Sequence, residues 1–256
     1  MKLELAGTRA LVTGGSRGIG RAIVELLAQE GCSVEFCGRS ESRIGDAAAE
    51  LTAAGLAVRG TAMDLAETDA AAAWATEAVA RLGGLDILVA NASAMATGSS
   101  DDSWEWNYRV EIASLRELVS IAAPHLRDSA ERRGDAAVVA IGSTAALRVD
   151  KADAYGATKA ALIHTVKGLS RTLIKDGIRA NMVSPGPIYS KGGIWDQLRT
   201  EDPTSFADKI AQMPLGRMGT PEEIANTVVF LCSPRARYIV GSNFIVDGGR
   251  SNRPQY

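Results

Sequence analysis

Histidine is scarce in this chain: His125 and His164 are the only two among 256 residues, and they stand far apart. So little imidazole argues against a zinc site or a Ser-His-Asp triad, and no metal is expected. Cysteine is nearly as rare. Cys32, Cys37 and Cys232 are odd in number and lack metal-ligand spacing, which speaks against a disulfide framework and fits a reducing cytosol. No apolar run reaches the roughly 20 residues of a membrane span. A net charge of −2, from 28 basic and 30 acidic residues, gives no electrostatic case for nucleic acid or an anionic membrane surface. The first apolar segment starts too near Met1 for a cleaved signal peptide, so the expectation is a cytoplasmic protein.

What is present is one long globular pattern. Hydrophobic residues make up 46% of the chain, enough for a single large core. Short apolar segments read as strands at Arg9–Thr13, Ser33–Cys37, Val58–Ala62, Asp86–Ala90, Ala137–Ile141, Arg179–Val183 and Asn243–Val246. Helices are predicted between them, at Ile19–Glu30, Ser42–Ala53, Asp69–Leu82, Asp102–Leu126, Ala154–Lys175 and Pro221–Leu231. Strand-helix alternation of this kind makes βαβ crossovers, so the fold class is α/β: a Rossmann-like, doubly wound parallel sheet with helices on both faces. No repeat, low-complexity tract or linker divides residues 1–256, and one domain is expected. The charged run from Arg127 to Asp135 reads as a solvated loop.

Two local patterns suggest chemistry. The strand Arg9–Thr13 runs into Gly14-Gly15-Ser16-Arg17-Gly18-Ile19-Gly20, which opens a helix that Gly31 closes. A glycine-rich turn there lets backbone approach a pyrophosphate, and the helix end offers unpaired N–H groups; many such turns, however, are merely tight connections. The second pattern is Tyr155-Gly-Ala-Thr-Lys159. Its (i, i+4) spacing puts a phenol and an ammonium on one helix face, continuous with Leu162, Val166, Leu169 and Leu173. An ammonium about 4–5 Å from a phenol favours the phenolate by about 3–4 kcal/mol at an effective dielectric near 20. That would make the phenol a serviceable acid/base. Taken alone, the pair could equally be the exposed first turn of an ordinary amphipathic helix.

Together these residues resemble the short-chain dehydrogenase/reductase family in its form of about 250 residues. The resemblance runs from Leu5 to Gly249 and takes in Asn91-Ala92, Ser143, Asn181, Pro185-Gly186-Pro187 and Val246-Asp247-Gly248-Gly249. It implies catalytic roles for Ser143, Tyr155 and Lys159: Tyr155 exchanges a proton with the substrate oxygen, Ser143 orients it, and Lys159 supports the phenolate and the nicotinamide ribose. It further implies a dinucleotide held by Gly14, Ser16, Arg17, Gly18, Ile19, Gly20, Asn91, Tyr155, Lys159, Pro185, Gly186 and Ile188, with Asp64 and Leu65 near the adenine. Asp64 reads almost as well as a helix N-cap residue.

The end of the second strand bears on which dinucleotide. A carboxylate there would bind a ribose 2′-hydroxyl, whereas arginine suits a 2′-phosphate. Gly38 occupies the acidic position, followed by Arg39 and Ser40, with Arg17 close by in the glycine turn, so NADP(H) is expected. Glu35, an acid inside a strand, is expected to pair with Arg9 or Arg59 on a neighbouring strand rather than with ribose.

Four departures from the family pattern stand out. Ser93 replaces the last glycine of an Asn-Asn-Ala-Gly run; the Ser143–Tyr155 interval is one residue short, altering the loop Ala146–Asp153; Ser190 stands where threonine is common; and Glu111 replaces an asparagine of the family's proton relay. Glu111 therefore joins the candidate catalytic set. Either it pairs with Lys159 and damps the ammonium, biasing the reaction toward carbonyl reduction at neutral pH, or it turns to solvent, Arg109 or Arg116. The segment from Tyr189 to Met213 reads as a substrate lid or as a plain surface excursion, and Met95, Leu147 and Trp195 as an apolar substrate wall.

The resulting expectation is an NADP(H)-dependent oxidoreductase interconverting a ketone and a secondary alcohol on a small hydrophobic or cyclic substrate. Two other readings stay open: a 3-oxoacyl-[acyl-carrier-protein] reductase, and a catalytically impaired NADP(H)-binding protein. Resemblance also implies a homotetramer, with Val119, Ala160, Ile163 and the tail Arg250–Tyr256 near its contacts.

Overall fold

A computed structural model describes residues 1–149 and 153–252. Its centre is a seven-stranded, all-parallel sheet: β1 (Arg9–Thr13), β2 (Ser33–Gly38), β3 (Val58–Ala62), β4 (Ile87–Ala90), β5 (Ala136–Ile141), β6 (Ile178–Pro185) and β7 (Asn243–Val246), in spatial order β3-β2-β1-β4-β5-β6-β7. The chain winds outward from β1 to β3, then returns beside β1 with β4 and winds the other way. The reversal leaves a crevice at the C-terminal ends of β1 and β4, where open α/β sheets bind ligands.

Side-chain alternation along the strands feeds two cores. Ala10 and Val12 point to the layer of α1 (Gly18–Gln29), α2 (Glu41–Ala53) and α9 (Pro221–Cys232). Leu11 points to the opposite layer of α3 (Ala70–Leu82), α5 (Ser114–Arg133) and α6 (Ala154–Leu173). Helix ends follow their capping residues. Ser40 caps α2, Asp153 caps α6, and Thr220 with Glu223 forms a capping box on α9. The cysteines are buried; desolvation pushes the Cys32 thiol up to about 11 and Cys37 up to about 12, so both act as packing groups.

Four expectations need correction here. The helix expected over Asp102–Leu126 is α4 (Asp101–Asn107), a π-helical turn (Tyr108–Ala113) and α5, which continues to Arg133 and stops at Gly134 in the left-handed conformation. The charged run taken for a loop is thus mostly the outer face of α5; its inward Ser129 is fully buried and donates to Asp86. Glu35 is buried as an ion pair, but its partner is Arg81 on α3, because Arg9 is engaged by Asp86. Val119, expected on an outer face, packs inside the second core.

The sheet's N-terminal end is closed by such pairs. Arg179 is 2% exposed and binds Asp135 and the carbonyls of Leu231 and Ser233. A buried guanidinium survives only when all its donors are met, and these partners lock β6 to α9. Residues 150–152 of the loop Ala146–Asp153 and residues 253–256 of the tail lie outside the described residues. Among the described residues no helix is long and apolar enough to cross a membrane.

Candidate active site

A cleft of about 610 Å³ opens at the C-terminal ends of the strands. Its floor is the glycine turn. Gly14 has φ +69, and a Cβ there would lie 2.9 Å from the Asn91 amide and from Ala92 Cα; a Cβ on Gly20 would lie 2.1 Å from the Gly14 carbonyl oxygen. Only glycine lets turn and helix pack so closely. The Asn91 amide donates to the Thr13 and Gly14 carbonyls, and the Thr13 hydroxyl accepts the Asn91 and Ala92 N–H groups. Asn91 therefore braces the turn as well as lining the cleft.

The N-terminus of α1 has no side-chain cap and no acid in its first turn. Its leading N–H groups are left for a ligand, which is the donor set a phosphate requires. Around it stand Ser16, Arg17, Gly18, Ile19, Arg39 and Ser40, with Asp64 and Leu65 further along the wall. Arg43 stands there too. Three guanidiniums gather at this end, and Gly38 brings no side chain, and so no carboxylate, to the end of β2. Arg39 lies 6.0 Å from the Trp106 ring centroid, a cation–π distance. Asp64 caps no helix; its carboxylate accepts the Ala66 N–H in a local turn, while α3 starts after Asp69.

The other end of the cleft is chemical. Ser143 follows β5, and its hydroxyl oxygen accepts the Ala145 N–H at 3.0 Å, which leaves the hydroxyl proton to be donated. Asp153 receives the N–H groups of Tyr155 and Gly156 and so fixes the first turn of α6. Tyr155 is half-buried and lines the cleft; Lys159 lies one turn on, its ammonium 5.7 Å from the Tyr155 ring centroid. Lys159 is 1% exposed. Its Nζ donates to the Ile141 carbonyl at 2.8 Å and pairs with Glu111 Oε2 at 2.5 Å. Burial acts to lower its pKa, but Coulomb attraction to Glu111, then to Tyr155, and the Glu111 hydrogen bond outweigh it, holding the ammonium above the ordinary lysine range.

Of the two placements open for Glu111, the structure has the inward one. The π-helical turn directs its carboxylate to Lys159, while Arg109 is taken by Glu105 and Thr68. Pro185, Gly186 and Ile188 line the cleft beyond Lys159. On the substrate side the structure brings Ser143, Met95 and Trp195 together, but Leu147 is not part of the wall. Thr144 and Ala145 of the same short helical turn line it instead, with Arg148 just after the turn.

The sequence reading missed Arg43 and Ser93. Arg43 was legible as a cation in the first turn of α2, three residues after the cap Ser40. Ser93 lines the cleft and donates to Glu111 Oε1 at 2.5 Å; nothing local in the sequence links residues so far apart.

From Tyr189 to Met213 the chain leaves the sheet as α7 (Ile194–Glu201) and α8 (Pro203–Ala211). Backbone bonds between Tyr189 and Gly219 and between Gly219 and Pro187 pin both ends of the excursion. Arg17 of the glycine turn donates to the Gly192 carbonyl, and Ile194 and Trp195 face the cleft.

The profile of the family described as enoyl-(acyl carrier protein) reductase matches residues 14–251. An isoepoxydon dehydrogenase of Penicillium expansum is 36% identical over 96% of this chain and 95% of its own length. The crystal structure of an L-sorbose reductase from Gluconobacter frateurii, complexed with NADPH and L-sorbose, superposes with a TM-score of 0.90 at 32% identity, covering 99% of this chain and all of that one. An NADPH-bound short-chain oxidoreductase of Pseudomonas aeruginosa, described as containing an atypical catalytic center, gives 0.87 at 30% identity, over 97% and 99% of the two chains. With the glycine turn, the Tyr155–Lys159 pair and the strand order all in place, this chain belongs to the short-chain dehydrogenase/reductase family.

Proposed function

We propose that the protein is an NADP(H)-dependent oxidoreductase that interconverts a ketone and a secondary alcohol on a small hydrophobic or cyclic substrate. The observation that carries this reading is the cleft itself. Tyr155 and Lys159 occupy one end, an uncapped helix N-terminus with three arginines and no carboxylate at Gly38 occupies the other, and one continuous wall joins them. Relatives bound to NADPH on the same fold support the cofactor.

Bound NADPH supplies the hydride. The chain supplies the rest. Tyr155 donates the proton that the substrate oxygen acquires, and takes it back in the oxidative direction. Ser143, its lone pair occupied by Ala145, donates its hydroxyl proton to the same oxygen and steadies charge growing there. Lys159 stabilises the Tyr155 phenolate, and Glu111 positions Lys159. Arg17, Arg39 and Arg43 are suited to grip a 2′-phosphate bidentately, and Ser40 lies beside them. Met95, Ile188, Ile194 and Trp195 give the substrate an apolar surround, with α7 and α8 as a lid.

Reduction of a 3-oxoacyl group on an acyl carrier protein is the weaker reading. Its acidic partner needs a basic landing surface, and the surface guanidinium of Arg127 is neutralised by Asp176 at 2.7 Å. We place the protein in the cytoplasm as a homotetramer. Partly exposed Ile163 and exposed Ala160 on α6 support the assembly, as do Trp104, Trp106 and Tyr108, each more than 40% exposed.

Incubation with a panel of cyclic and aliphatic ketones, following nicotinamide absorbance, should give turnover with NADPH well above that with NADH. Arg39→Asp should weaken NADPH by roughly 10-fold or more, as the loss of a charged contact worth about 1.5–3 kcal/mol, and shift preference toward NADH. Equal kcat/KM for the two cofactors in the unmodified protein would refute the choice of cofactor. Tyr155→Phe should abolish turnover while leaving NADPH binding near normal; retained activity above a few per cent, roughly the residue of one lost acid/base group, would remove Tyr155 as the proton donor. Limited proteolysis should cut the 189–213 segment more slowly once NADPH and substrate bind, and cleavage indifferent to ligand would reduce it to a surface excursion. Sedimentation at micromolar concentration should give four chains per particle, and a monomer would remove the assembly.

A further inference from the structure

Two of the departures from the family pattern, Ser93 and Glu111, touch each other. Ser93 lies just after β4, and Glu111 sits inside the π-helical turn. The Ser93 hydroxyl donates to Glu111 Oε1 at 2.5 Å, and Glu111 Oε2 faces the Lys159 ammonium at 2.5 Å. Glu111 is 4% exposed, so its carboxylate depends on these partners for the hydrogen bonds water would otherwise give. The same serine oxygen accepts the Met95 N–H at 3.2 Å. Met95 is held at φ +49, a left-handed conformation unfavourable for a residue with a side chain, and it forms part of the substrate wall. One hydroxyl thus secures both a strained piece of the cleft and the far oxygen of a buried ion pair.

A carboxylate against Lys159 opposes the field that the ammonium exerts on the Tyr155 phenol. How strongly it does so depends on how its charge is shared. A donor on Oε1 draws charge away from Oε2, and a hydrogen bond to an ionised group is the strong kind. We propose that Ser93 is a positioning residue of the active site, whose hydroxyl divides the Glu111 carboxylate between itself and Lys159 and so preserves the pull of Lys159 on the Tyr155 phenolate. Serine at 93 and glutamate at 111 form one unit, in which the first substitution makes the second workable. The inference rests on the proposed roles of Tyr155 and Lys159.

The other groups around this unit leave its logic intact. Tyr155 and Lys159 face Glu111 from α6, and β5 contributes only the Ile141 carbonyl. On Glu111's own turn and the start of α5, Arg109 is held by Glu105 and Arg116 is exposed. Asp153, beside Tyr155, spends its carboxylate on the backbone N–H groups of Gly98, Tyr155 and Gly156. Arg148 lines the cleft mouth.

The test is a pH titration of tyrosinate ultraviolet absorbance, with the Tyr155→Phe protein subtracted to isolate Tyr155, in parallel with the pH profile of alcohol oxidation. Ser93→Ala should move both midpoints to higher pH, by roughly half to one unit. Ser93→Thr, which keeps the hydroxyl, should restore them. Glu111→Asn should move both to lower pH, and adding Ser93→Ala to it should then move neither. A purely structural serine would lower activity at every pH without shifting either midpoint, and that result would overturn the proposal. A shift of equal size with asparagine at 111 would also overturn it. If Ser93→Ala failed to fold by circular dichroism, Ser93→Gly, the residue of the family pattern, takes its place with the same expectations. The absorbance titration needs no substrate. Absence of turnover with every ketone therefore counts against the proposed function, and an unmoved Tyr155 midpoint against the role of Ser93.

Discussion

The whole catalytic end depends on keeping one ammonium out of water. Lys159 is 1% exposed at the core-facing side of α6, and an unpaired charge in that position would be driven to neutrality or would unfold its surroundings. It is tolerated because α6 brings it to two other parts of the chain that supply its partners. The end of β5 provides the Ile141 carbonyl, the π-helical turn provides Glu111, and α6 provides the lysine itself. Those contacts fix the height of α6 against the sheet and the rotation of the long central helix. Tyr155, one turn before Lys159, then has little choice about where it points. The placing of the proton donor is a by-product of solvating the lysine with protein.

The opposite end of the sheet is organised by the same rule with a different outcome. Arg9 with Asp86 and Arg179 with Asp135 tie the beginnings of neighbouring strands together, and Arg81 with Glu35 ties β2 to α3. Each pair satisfies itself and exposes nothing reactive. With the N-terminal strand ends thus closed, the C-terminal ends are left to diverge, and the topological switch between β1 and β4 becomes the opening for a dinucleotide. Charge is used structurally below the sheet and chemically above it.

Legibility from sequence tracked how local each signal was. The strands and helices were readable because apolar segments alternate with helical periodicity, and because glycines and caps such as Gly31, Ser40 and Thr220 mark their ends. Tyr155 and Lys159 were readable because four residues on one helix face is a local relation. The faults came where tertiary geometry decides. Arg127 to Asp135 looked like a loop because the run is charged, although Ser129 and Gly134 carry the inward face and the stop. Glu35 was given a partner from an adjacent strand, yet a helix lying over the sheet put Arg81 within reach. Leu147 was assigned to the cleft on its apolarity, and its neighbours Thr144, Ala145 and Arg148 line it instead. Val119 was read as outward-facing, when α5 buries it in the second core.

Ser93 and Glu111 illustrate the deepest limit of sequence reading. Each looks like an isolated defect: a side chain where a glycine was expected, and a charge where an amide was expected. Judged singly, each speaks against a working site, and read without the structure the two together argue for lost catalysis. In space they are donor and acceptor of one hydrogen bond, and the acid completes the shell of Lys159. A buried carboxylate without Ser93 would leave an oxygen unsatisfied, and Ser93 without the carboxylate would lose its acceptor in a crowded turn. The physical cost of either change alone is therefore larger than that of the two made together. Two departures that cancel in this way point to a site re-engineered around its lysine rather than one in decay.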